Sequence, residues 1–162
     1  MEDSTASCNS LPQYPHDIRL ANGMMINDVP IIAGGDTSSN SHLAQVYKLD
    51  YLGNSWVSLG NMAMARALFA VAELNGGLWA MGGISLSSGW SLSKSTEIIY
   101  TDGTILDGPD LPEARARHCA VNLPNGKVVI MGGITSPSVV SKDVLIYDPS
   151  TSTYTSGPDM LY

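Results

Sequence analysis

Charge is scarce in this chain: Asp, Glu, Lys and Arg together make up 14% of its 162 residues. Helix-rich proteins carry more Glu, Lys and Arg than this, and here Ser, Gly, Thr and Pro stand in their place. That balance favours short strands and many turns. The basic residues number eight, lie scattered, and leave a net charge of −7. A nucleic-acid binder needs a basic face to neutralise phosphates, and none is visible. Long hydrophobic runs are missing too, since a spanning helix needs roughly 20 apolar residues. The polar, acidic start MEDSTASCNS does not read as a signal peptide. Neither nucleic acid nor membrane is therefore expected as a partner.

Cysteine occurs twice, as Cys8 and Cys119, with neither metal-type spacing nor a disulfide framework. Cys119 falls in a predicted strand and reads as a buried, inert thiol; Cys8 lies in a polar stretch, free or paired. No Asn-x-Ser/Thr acceptor occurs. These absences point to a reducing, cytoplasmic setting, with secretion the alternative. Catalytic signatures are absent as well: no P-loop, dinucleotide fingerprint, GxSxG or HExxH. His16, His42 and His118 occupy different repeat positions, so no shared metal set is expected, and no cofactor is predicted.

What the chain does have is repetition. Leu111–Gly133 reads as an arginine-bearing loop, a strand, the Asn125–Gly126 turn, and a second strand ending on Gly132–Gly133. Asn-Gly between apolar runs is the strongest short hairpin signal, because both central residues take positive φ. Upstream, Asn75–Gly76 precedes Gly82–Gly83, and Asn27–Asp28 precedes Gly34–Gly35, the turn asparagine always eight residues before the second glycine. The copies are offset by 48 and then 50 residues, a period of propeller blades. Further on, Trp56, Ile105 and Tyr154 recur every 49 residues, each followed six residues later by Met62, Leu111 or Met160.

The predicted architecture is all-β: three four-stranded antiparallel blades in an incomplete ring, with almost no helix. Residues 1–17 form a leader without repeat pattern, and the repeats run approximately 19–62, 63–111 and 112–162. Propellers close with roughly four to eight blades, so three leave blade faces and strand edges open to self-association.

These residues resemble the kelch repeat family, whose blades carry a diglycine after the second strand, a tyrosine on the third, a tryptophan on the fourth, and an arginine before the next blade. The diglycines match in all three copies; Tyr147 and Tyr154 take the tyrosine and tryptophan positions of the third, and Trp56 the tryptophan position of the first with Leu49 at the tyrosine position. Tyr100 stands near the tyrosine position of the second copy, where Ile105 replaces the tryptophan; Arg66 and Arg115 match the arginine, and Arg19 approximately so. The resemblance implies a kelch-type β-propeller and a protein-binding scaffold or adaptor without catalysis. The alternative it carries is an enzyme such as a galactose oxidase-like oxidoreductase, with copper held by tyrosine and histidine.

In a meandering blade, the loop after strand two and the loop to the next blade emerge on one face. There Asp36–His42, Ile84–Ser95 and Thr135–Lys142 vary, while the turns opposite keep register. Loops on a rigid scaffold are where recognition resides. The candidate protein-binding residues on that face are Trp90, Arg66, Arg115, Arg117, His42 and Lys94, with Trp90 as anchor and the arginines on acidic or polar groups. For Arg66, Arg115 and Arg117 the competing role is bonding carbonyls or carboxylates between blades.

Overall fold

A computed structural model of the chain describes residues 11–39, 41–85 and 90–161. It contains three four-stranded antiparallel sheets, each a meander in chain order, and no helix among the described residues. The first blade is β1 (Asn22–Ile26), β2 (Val29–Ala33), β3 (Gln45–Asp50) and β4 (Ser55–Asn61). The second has β5 (Ala70–Leu74), β6 (Gly77–Met81), the short ribbon β7 (Ile84–Ser85) and β8 (Ser91–Leu92), then β9 (Thr96–Ile99) and β10 (Ile105–Asp107). The third has β11 (Cys119–Asn122), β12 (Val128–Met131), the ribbon β13 (Ile134–Ser136) and β14 (Val139–Val140), then β15 (Val144–Asp148) and β16 (Thr153–Ser156).

The opening hairpins follow their turn chemistry. Asn27 and Asp28 adopt φ of 48° and 62°, and Asn75 and Gly76 adopt 53° and 79°, the paired positive values that tight two-residue turns require. The third hairpin departs from expectation. Pro124 fixes a negative φ, so the loop lengthens to Pro124–Asn125–Gly126; only Gly126 is left-handed (82°), and Leu123 N–H closes it on Lys127 C=O.

Alternation along each strand gives every blade two apolar faces, and adjacent blades bury them against one another. Ile31, Val46 and Leu59 of the first blade meet Phe69, Leu78 and Ile99 around the second. Trp79, Met81 and Ile98 on the second blade's other face meet Val128, Ile130 and Tyr147 of the third. Cross-strand pairing sets Leu49 opposite Trp56, Ile99 opposite Ile105, and Tyr147 opposite Tyr154. The tyrosine position of the second blade is thus held by Ile99 rather than Tyr100, because the shorter turn before β10 draws the pairing back one residue.

Residues 11–21, ahead of the first blade, hold no strand, yet they run in the register of the segments that leave each blade. Trp56 donates its indole N–H to Pro12 C=O at 3.0 Å, as the Tyr154 hydroxyl donates to Pro109 C=O at 3.0 Å. Two residues on, Tyr14 packs edge-on to Trp56 and Tyr47, where Leu111 fills the corresponding place between the second and third blades. Cys8 lies outside the described residues.

Candidate functional site

The diglycines set the geometry of the inner rim. Gly34, Gly82 and Gly132 take φ of 58°, 61° and 64°, and the glycines after them 98°, 94° and 89°. A Cβ on Gly34 would stand 2.5 Å from Arg66 C=O, so only glycine admits the neighbouring blade this closely. In that space Gly35 N–H bonds Arg66 C=O, and Gly83 N–H bonds Arg115 C=O, both at 2.9 Å.

The same arginines reach into their own blades. Arg66 donates from Nη1 to Gly82 C=O (2.9 Å) and Ser95 C=O (2.8 Å), and from Nη2 to Glu97 Oε1 (2.7 Å). Arg115 donates to Gly132 C=O at 3.1 Å, with Glu113 at 3.9 Å. Their exposures are 0% and 1%, so they are inter-blade staples, and the expectation that they contact a partner from the exposed face is corrected. Burial lowers the Arg66 pKa and the Glu97 charge opposes that effect.

Arg19 is offset from this series by one residue. It bridges Asp36 as Ala67 bridges Ile84 and Ala116 bridges Ile134, which leaves Ile18 at the staple position. An Arg–Asp ion pair, Nε to Oδ1 at 2.9 Å, thereby replaces the Ala–Ile pair of the other blades. Just beyond, Leu20, Leu68 and Arg117 all adopt φ of 56°, a left-handed conformation rare outside glycine. Leu68 N–H bonds Leu20 C=O (3.4 Å) and Arg117 N–H bonds Leu68 C=O (2.8 Å), so the three blades are joined along the rim by main chain alone.

Above this rim lies a cleft of about 450 Å³ lined by Arg19, Leu20, Asp36, His42, Ala67, Leu68, Ile84, Trp90 and Arg117. It gathers three of the sequence candidates: Trp90, His42 and Arg117. Trp90 is 66% exposed beside the β7–β8 ribbon, and Arg117 is exposed with no ion-pair partner among the described residues. His42 Nδ1 is buried without a hydrogen-bond partner. Lys94 lies apart, exposed in the loop between β8 and β9, where it pairs with Asp110 at 3.4 Å. Sequence reading named Arg19 only as an approximate match to the arginine position and Asp36 only as the start of a variable loop, and counted neither among the site candidates; Arg19 sits one residue closer to its diglycine than Arg66 does to its own. Arg115 and Arg117, two residues apart, would share a side in an extended strand; they separate because Arg117 is left-handed (φ 56°), which breaks the alternation and leaves its side chain exposed while Arg115 is buried.

Two other residues are informative. His118 is buried against the diglycines, where Phe69 sits one blade earlier, and neither ring nitrogen has a partner. Burial, reinforced by Arg115, lowers its pKa to about 4, so it is a neutral packing group. Cys119 is exposed, contrary to expectation, because no blade packs on its face of the third sheet among the described residues. Where histidine and tyrosine meet, His16 Nε2 stands 3.2 Å from Tyr47 Oη, with Tyr14 alongside. Burial, with Tyr47 close by, raises the Tyr14 pKa to about 12.

Comparison with known proteins agrees with this geometry. Residues 115–161 match the model of the Kelch motif. The chain is 29% identical over 129 residues to Kelch-like protein 15 of Danio rerio, covering 77% of itself and 21% of that protein. It is 29% identical over 141 residues to an F-box/kelch-repeat protein of Arabidopsis thaliana (85% of itself, 37% of that protein) and 30% over 114 residues to Beta-scruin of Limulus polyphemus (64% and 12%). The chain therefore spans between 12% and 37% of the length of these relatives. Among solved structures, YjhT superposes with a TM-score of 0.76 at 20% identity, over 93% of this chain and 54% of that one. Repeat register, blade topology and these matches agree: residues 115–161 are a Kelch motif, and the chain is built of kelch-type propeller blades.

Proposed function

We propose that the chain is a protein-recognition module that holds a segment of its partner in the cleft under Trp90. The observation that carries this reading is a largely exposed indole set on a rigid three-blade scaffold, beside an exposed arginine. Tryptophan and arginine are the side chains enriched where binding energy concentrates. The apolar floor of Leu20, Leu68 and Ile84 accepts an aliphatic or aromatic side chain, and Arg117 accepts a carboxylate or a polar group at its edge. His42 Nδ1 offers one more polar contact once a ligand fills the cleft. A module of this kind works as scaffold or adaptor, and the kelch-named relatives support that class.

Peptide-library selection against the whole chain tests the reading. Enriched peptides should combine an apolar residue with Asp or Glu, and should lose at least about 30-fold in affinity against Trp90→Ala, about 2 kcal/mol. Binders indifferent to both Trp90→Ala and Arg117→Ala would overturn it.

A further inference from the structure

Asn-Gly occurs three times in the chain, at Asn22–Gly23, Asn75–Gly76 and Asn125–Gly126. Asparagine is thermolabile, and most so before glycine, whose lack of a Cβ lets its own amide nitrogen swing towards the asparagine side chain. The same dipeptide stands in three different surroundings, so the fold decides the fate of each.

Asn22 lies in β1, paired with Ala33, and its Nδ2 donates to Phe69 C=O at 3.0 Å on the next blade. Backbone and side-chain amide are both held there. Asn75 and Gly76 form the tight turn between β5 and β6, where the Gly76 N–H donates to Glu73 Oε1 at 2.7 Å. That nitrogen must give up its proton to attack. A charge-assisted bond to a carboxylate retains the proton, and the fixed negative charge opposes the anion its loss would leave.

Asn125 has neither safeguard. Asn125 and Gly126 are both exposed in a turn one residue longer, and the Gly126 N–H donates to a neutral acceptor, Leu123 C=O, at 3.0 Å. Lys127 N–H donates to Asn125 Oδ1 at 3.2 Å, which polarises the side-chain carbonyl and stabilises charge gathering on that oxygen when Cγ is attacked. Among the described residues, Asn75 has no counterpart of that bond.

The geometry points to Asn125 as a site of spontaneous deamidation, with Asn22 and Asn75 protected by the fold. The Gly126 nitrogen bonds to Asn125 Cγ and loses its proton. The bond from Cγ to the side-chain nitrogen breaks, and ammonia leaves carrying that proton. Water then opens the cyclic succinimide at either carbonyl, giving aspartate or isoaspartate. Each product adds a negative charge two residues from Lys127, whose Nζ holds Asp148 Oδ2 at 2.9 Å. Isoaspartate also adds a methylene to the backbone between β11 and β12.

The full chain, incubated at neutral pH and body temperature and then digested, should show aspartate and isoaspartate in place of Asn125. Isoaspartate marks passage through the succinimide. Conversion at Asn75 should lag by about tenfold, the rate equivalent of a charge-assisted against a neutral hydrogen bond, and Asn22 should lag as well. Glu73→Gln removes the charge on an exposed side chain and should bring Asn75 close to the Asn125 rate. In guanidinium chloride the three sites should convert alike. Four results would each overturn the proposal: an unaltered Asn125, equal conversion of all three sites in the folded chain, an unchanged or slower Asn75 in Glu73→Gln, or the same ranking in denaturant, which assigns it to neighbouring residues.

Discussion

Glu97 holds Arg66 at 2.7 Å inside the protein, and the same carboxylate accepts the backbone N–H groups of Ala63 (2.6 Å) and Met64 (3.3 Å). One side chain on the second blade thus fixes the segment leaving the first blade and neutralises the staple between them. The third blade has Leu145 at the corresponding position, and its staple Arg115 relies on a carbonyl and a distant glutamate.

Glu97→Ala removes one partner of a buried pair and leaves the guanidinium charge uncompensated. The expected loss is about 3–5 kcal/mol of unfolding free energy, measured by urea titration. A loss below about 1 kcal/mol would show that solvent enters the site and screens Arg66.

Acid should weaken the fold through His118. Its folded pKa of about 4 lies below the ordinary value of 6.5, so between those pH values the unfolded chain binds the extra proton. Stability therefore falls as pH drops from about 6.5 to about 4, by on the order of 3 kcal/mol in total, and this contribution levels off below. His118→Phe places at this site the ring type that Phe69 presents one blade earlier. Its melting temperature should vary less with pH across that window than that of the wild type.

Gly83→Ala should destabilise strongly, since φ is 94° and a Cβ would meet Ala67 C=O at 2.7 Å. The left-handed backbone alone costs about 1–2 kcal/mol, and the contact adds to it. Gly76→Asn is the control: that glycine is also left-handed (φ 79°) but has open space around it, and asparagine tolerates the conformation. Comparing the two melts separates crowding from backbone preference.

Trp90→Ala should leave the melt within about 0.5 kcal/mol of wild type, because the indole is mostly in solvent. A marked loss of stability would show that the indole packs under its own loop. Since the chain carries a net charge of −7, attraction of an acidic partner to Arg117 acts at short range only.

The blades were legible because diglycines and asparagine turns are backbone requirements, and they keep register whatever surrounds them. In each blade the second strand ends where its diglycine begins, as Val29–Ala33, Gly77–Met81 and Val128–Met131 show. The fate of the arginines was less legible, since Arg115 and Arg117 differ only in which side of the rim they face, and tertiary packing decides that. Tyr14 was hidden for another reason. It fills with an aromatic ring the place that Met62 and Leu111 fill elsewhere, in a stretch with no strand periodicity to flag it.

The rim contacts of Leu20, Leu68 and Arg117 use N–H and C=O groups only, so their side chains are released from any duty in spacing the blades. Two of the three positions carry leucine and the third arginine, with the same φ. The inner rim can accordingly be relined, residue by residue, without altering the pitch from blade to blade. Descendants of such a repeat can diverge in what they recognise while the frame stays as it is, and a duplicated repeat would join the series with its connecting bonds already in place.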